Sequence, residues 1–74
     1  MNAIKRWVLA IRIERRWRKI GSNRRKMDAL LENGEPYSSP ALVQLDGETA
    51  ELGYEARQME RRYQELMAEA QASA

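Results

Sequence analysis

LVQLDGETAELGYEARQMERRYQELMAEA, residues 42–70, decides the fold. At alternating three- and four-residue steps it reads Leu42, Leu45, Thr49, Leu52, Ala56, Met59, Tyr63, Leu66, Ala70. Every position in that row is apolar or aromatic except Thr49. A 3-4 spacing held over about four heptads marks one apolar seam on a helix, of the kind that packs in a coiled coil. A seam of that length needs a partner helix to cover it, and the first half of the chain supplies one.

Working back from the seam, Ser39-Pro40 is a helix start, with serine at the N-cap and proline at the first helical position. Asn33-Gly34 is a helix stop, because a glycine just past the last apolar residue takes the left-handed C-cap conformation readily. The spacing predicts helix 1 over about 3–32, a connection over 33–38 and helix 2 over about 40–71, within a single domain covering residues 1–74. Helix 1 contains no proline and is rich in Arg, Ile, Leu, Ala and Lys, and an apolar row carries through Gly21-Ser22-Asn23: Ala10, Ile13, Trp17, Ile20, Arg24, Met27, Leu31. A short connection makes the helices antiparallel neighbours. Folding at the loop sets Leu31 against Leu42, Met27 against Leu45, Arg24 against Thr49, Ile20 against Leu52, Trp17 against Ala56, Ile13 against Met59 and Ala10 against Tyr63. Large residues then meet small ones, as a packed seam requires. The expected fold is all-α, a two-helix antiparallel hairpin of coiled-coil type. Its core is Ile13, Trp17, Ile20, Met27 and Leu31 against Leu42, Leu45, Leu52, Ala56, Met59, Tyr63 and Leu66.

With 74 residues, no cysteine and no histidine, the chain has neither disulfides nor zinc ligands of the usual Cys/His kind to reinforce a small core. Oligomerisation is the remaining route, and the hairpin is expected to dimerise into a four-helix bundle. The net charge of +2 hides an asymmetry. Residues 1–34 carry ten Lys/Arg against three acids, a balance of +7, while residues 35–74 carry three against eight, a balance of −5. Opposite signs favour folding the two halves together. Lys5-Arg6 followed by Trp7-Val8-Leu9-Ala10-Ile11 has the start of a signal peptide, but Arg12 ends the apolar run too early for a leader or a membrane span. The expected location is the cytoplasm, with no membrane partner.

Two further faces of helix 1 carry the functional reading. Ile4, Trp7, Val8 and Ile11 form a second apolar stripe, placed roughly 100° of helix rotation from the seam. Either a second copy of the chain or another protein would cover it. Arg12, Arg15, Arg18, Lys19, Arg25 and Lys26 form a basic face suited to nucleic acid, to an acidic protein surface or simply to solvent. Catalysis is not expected. Glu48, Glu51 and Glu55 share a helix face, but no histidine or glycine-rich phosphate loop accompanies them, and no cofactor or metal is implied.

In size, seam and basic first helix the chain resembles the plasmid RNA-binding hairpins of the Rop type. That resemblance implies a hairpin dimer whose first helices bind paired RNA loops through the basic face of helix 1. The length, the long helices and the succession Ile4, Trp7, Val8, Ile11, then Arg12, Arg15, Arg18 also resemble very small phage-encoded helical proteins that disable host regulators. Among these are hairpin dimers that block a quorum-sensing transcription activator and a pilus motor ATPase. This second resemblance implies a homodimeric inhibitor or adaptor whose partner is a regulatory protein.

Overall fold

The computed structural model describes residues 2–72, with side chains from Ala3 onward. Two helices make up the fold, α1 (Asn2–Glu32) and α2 (Pro40–Ala72), with no strand among the described residues. They lie antiparallel in a rod measuring 56 × 14 × 13 Å. Arg6 near the start of α1 donates through Nη1 to Met67 Sδ near the end of α2 at 3.0 Å, which fixes the register at the end away from the loop.

The turn is built from backbone hydrogen bonds. Gly34 adopts φ of +90°, a conformation that a Cβ would strain. Its N–H donates to Leu31 O at 3.0 Å and the Glu35 N–H donates to Leu30 O at 3.0 Å. This paired 5→2 and 6→1 closure is the Schellman motif, and it satisfies carbonyls that a helix end otherwise leaves open. The Ser39 N–H donates to Pro36 O at 2.9 Å, and Ser39 O accepts the first helical bond of α2, from the Val43 N–H, at 3.0 Å. Pro40 follows as the first helical residue, where its missing N–H costs nothing.

α2 turns the row Leu42, Leu45, Thr49, Leu52, Ala56, Met59, Tyr63, Leu66, Ala70 toward α1. Leu42, Ala56 and Leu66 are buried and the others are half-buried. Thr49 Oγ1 donates to the Leu45 carbonyl at 2.7 Å, so its polar tip is occupied within its own helix.

α1 meets α2 along a row shifted by one residue at alternate positions. The residues withdrawn from solvent include Arg6, Leu9, Ile13, Arg16, Ile20, Asn23, Met27 and Leu30, again at 3-4 spacing, with Ala10, Ile11, Gly21, Ser22 and Leu31 half-buried beside them. Along this row Ile20 is buried and Ile13, Met27 and, at its edge, Leu31 are half-buried, whereas Trp17 is turned out of it. Trp17 keeps 38% of its surface exposed, and Arg24 is exposed as well. Arg16 and Asn23 hold the corresponding places in the seam. The physical reason is visible at Arg16: this rotation of α1 lets Arg16 Nε reach Glu55 Oε2 at 2.9 Å while the bulky indole turns to the side. A straight helix drifts about 20° per heptad against a 3.5-residue repeat, so two neighbouring rows compete closely and one ion pair can bias the choice. The pair lies near the surface, with side-chain exposures of 28% and 40%. Glu55→Gln is accordingly expected to change the unfolding free energy by less than about 1 kcal/mol, as read from urea denaturation.

Two helices alone enclose little. Among the described residues the buried apolar side chains are Ile20, Leu42, Ala56 and Leu66. The accessible surface is 5773 Å², against about 4,700 Å² for a compact monomer of 8.6 kDa.

Candidate functional site

The outer face of α1, turned away from α2, brings the sequence-identified groups together in two blocks. The first is apolar. Ile4 is 69% exposed and Trp7 67%, Val8 stands at the edge and Ile11 is half-buried. Measured from the seam through Leu9, Ile13, Arg16 and Ile20, the Ile4, Trp7, Ile11 stripe lies roughly 175° round the helix at 100° per residue. That places it nearly opposite α2, rather than the 100° expected from sequence, because the true seam is the rotated one. Val8 and Ile4 extend sideways into a shallow groove that Leu9, Arg62 and Leu66 also line.

The second block is basic. Arg12, Arg15, Arg18, Lys19, Arg25 and Lys26 are all exposed. From Arg12 to Lys26 they run about 21 Å along the helix at 1.5 Å per residue. Among the described residues one carboxylate pairs with this stripe: Glu14 Oε1 accepts from Arg18 Nη2 at 2.6 Å, one turn away on the same helix. The remaining cations keep their charge available for an anionic group outside the hairpin. Glu55, which could have neutralised the stripe's inner edge, is taken by Arg16 instead.

A third feature was not singled out from sequence. Ala10, Trp17, Arg24 and Leu31 each stand one residue beyond a seam position, so all four fall on the same flank of the hairpin. On α2 the residues one beyond the seam, Asp46, Ala50, Gly53 and Arg57, line that same flank. Three grooves run end to end along it. One is lined by Ala10, Ile13, Glu60, Tyr63 and Gln64. The middle one takes Trp17, Ile20, Arg24 and Met27 from α1 and Thr49, Ala50, Gly53 and Tyr54 from α2. The third, near the loop, has Met27, Leu31, Tyr37, Leu42 and Asp46. Ala10 with Tyr63, Arg24 with Thr49 and Leu31 with Leu42, the pairs expected to face one another, line common grooves here. The opposite flank is bridged by Arg16 and Glu55.

Asn23 was also missed. It is 0% exposed, and neither Nδ2 nor Oδ1 has a hydrogen-bond partner. The signal that could have found it is the competing row Arg16, Asn23, Leu30, legible in the sequence but less apolar than the row through Trp17.

Among the described residues no helix is long and apolar enough to cross a membrane. A scan against protein-family models, a search of curated proteins and a search of solved structures each find no match.

Proposed function

We propose that this chain is a small non-enzymatic binding protein of the cytoplasm, a homodimeric inhibitor or adaptor of the phage-encoded kind. Its partner is a regulatory protein such as a transcription activator, engaged through the outer face of α1. The observation that carries this reading is the side-by-side placement of a bare apolar block, with Ile4 69% and Trp7 67% exposed, and a basic block on the one surface that α2 leaves uncovered. Exposed tryptophan is costly to leave in water and is a frequent anchor of protein interfaces. The adjoining arginines steer an acidic partner and set its orientation. A homodimer, pairing two hairpins into a four-helix bundle, accounts for the excess of exposed area.

The test is a binding titration with a partner captured on the purified protein, run beside light-scattering mass. Trp7→Ala is expected to weaken binding by about thirtyfold or more, the loss typical of a buried interface anchor, while leaving the mass unchanged. Unaltered affinity in Trp7→Ala would remove the patch from the interface.

The unpaired cations of the basic stripe favour one alternative, a hairpin dimer of the Rop kind that binds RNA or DNA. On that reading log K for a short duplex falls linearly with log salt, with a slope of about −3 to −5 if four or five phosphates are neutralised. Arg15→Glu with Arg18→Glu abolishes binding there with the helical content intact. A flat salt response excludes the alternative.

A further inference from the structure

We infer that the flank groove running past Trp17 and Gly53 is the seat of a second copy of this chain. The two hairpins lie side by side with their loops at the same end, so that α1 of each rests on α2 of the other. The inference deepens the homodimer reading above and rests on it. It also separates two surfaces: the groove serves self-association and leaves Ile4 and Trp7 free for another partner.

Four observations converge on a second copy. The first is area. The chain exposes about 1,100 Å² more than a compact protein of its mass, and a standard interface covers about 800 Å² per partner. The second is direction. The apolar row of α1 through Trp17 points neither squarely at α2 nor away from it, but into the groove between them. A residue aimed there faces the centre of a four-helix bundle, where each helix touches two neighbours. The third is shape. A Cβ built on Gly53 would meet nothing within 4 Å, so the α2 wall is notched beside Trp17, whose indole is 38% exposed. With loops together, Trp17 of one copy arrives within about one helical turn of Gly53 of the other. The opposite flank is crossed at mid-length by Arg16 and Glu55, and its groove, through Val8, Leu9, Arg62 and Leu66, is confined to the end away from the loop.

The fourth is charge. The half of the chain containing α1 carries +7 and the half containing α2 carries −5. Loops-together packing surrounds each α1 with two α2 helices, whereas the loops-apart arrangement would lay α1 on α1. Within the groove Asp46 and Arg24 are both exposed and neither has an ion-pair partner among the described residues. The two-fold axis, running parallel to the helices, brings Asp46 of each copy within about one turn of Arg24 of the other, so the contact is made twice.

The experiment uses light-scattering mass and sedimentation on the full chain, with circular dichroism to confirm helix. Wild type is expected at dimer mass. Trp17→Glu is expected to be a helical monomer, while Trp7→Glu and Ile4→Glu remain dimers. Because Trp17→Glu could act by unfolding the hairpin, a charge-exchange pair keeps the test decisive. Asp46→Arg and Arg24→Asp are each expected to raise the dimer dissociation constant at least about tenfold, by setting like charges together at both contacts. Mixed in equal amounts, the two variants are expected to recover wild-type mass as a heterodimer, since every cross-contact is again opposite in sign. Neither single change weakening the dimer, or rescue of Asp46→Arg by Arg57→Asp instead, would overturn this arrangement. A dimer lost in Trp7→Glu and kept in Trp17→Glu would overturn the groove and give the interface to the Ile4 patch, with dimerisation itself intact. A wild-type monomer overturns both this inference and the homodimer reading.

Discussion

Replacing Asn23 with leucine is expected to raise the melting temperature. Asn23 is 0% exposed and its amide nitrogen and oxygen both lack partners, so the folded state forfeits hydrogen bonds that water supplies in the unfolded chain. An unsatisfied buried polar group costs about 1–3 kcal/mol. Leucine has the same branched four-heavy-atom skeleton, removes that cost and adds apolar burial at the centre of the seam, while its bulkier methyl groups have to be taken up by the neighbouring side chains. A gain of about 1–3 kcal/mol corresponds to a rise of about 5–15 °C for a domain of this size. Thermal melts at fixed protein concentration check it, because dimerisation would make the midpoint concentration-dependent. A fall in the midpoint that Asn23→Ala shares would mean that the amide is paired in solution, whereas a fall confined to leucine would mean that the seam has no room for its methyl groups. The polar side chain has a use that the melt does not read. In the hairpin register Asn23 stands level with Thr49, the polar member of the α2 row, and a polar residue in an apolar seam penalises slipped alignments. Asn23→Leu is therefore expected to be more stable and less selective in register, visible as a broader mass distribution at high concentration.

The opposite effect is expected at Ile20, which is 2% exposed and is the apolar residue of α1 that the hairpin buries best. Ile20→Ala removes buried methyl groups and leaves a hole that two helices close only partly. Such changes cost about 2–5 kcal/mol. At the usual 0.05–0.15 kcal/mol per residue, this chain has about 4–11 kcal/mol to lose. The substitution thus takes away a large share of the stability and shifts the urea midpoint accordingly. Val43, 60% exposed on the far side of α2, is the control: Val43→Ala is expected within about 0.5 kcal/mol of wild type. Equal losses at both positions would contradict the packing described here.

The hairpin was legible in the sequence because two signals agreed. The row Leu42 to Ala70 has a single reading, and the Gly34 stop and Ser39-Pro40 start bracket a connection too short for anything but antiparallel helices. The facing of α1 was not legible to the same degree. Ile13, Ile20 and Met27 belong to both candidate rows, so the choice fell on Trp17 and Arg24 against Arg16 and Asn23. Hydrophobicity favours the first pair. The fold takes the second, because the Arg16 to Glu55 contact depends on a residue of α2 that periodicity within α1 cannot see. The same rotation carries the Ile4, Trp7 stripe round to the outside. The exposed blocks of the candidate surface followed from residue type and spacing, while the flank groove appears only once both helices are placed, since each contributes one wall.

The antiparallel arrangement also has a practical consequence. Asn2 and Ala72 lie at one end of a rod 56 Å long, and the block containing Ile4 and Trp7 occupies that same end. An affinity tag, a fluorophore or a surface tether attached at either terminus stands beside the apolar block and competes for it. Tyr37, 84% exposed at the tip of the turn, lies at the far end. A cysteine introduced at that position, unique in a chain with none of its own, offers an attachment point that leaves the outer face of α1 open to whatever it binds.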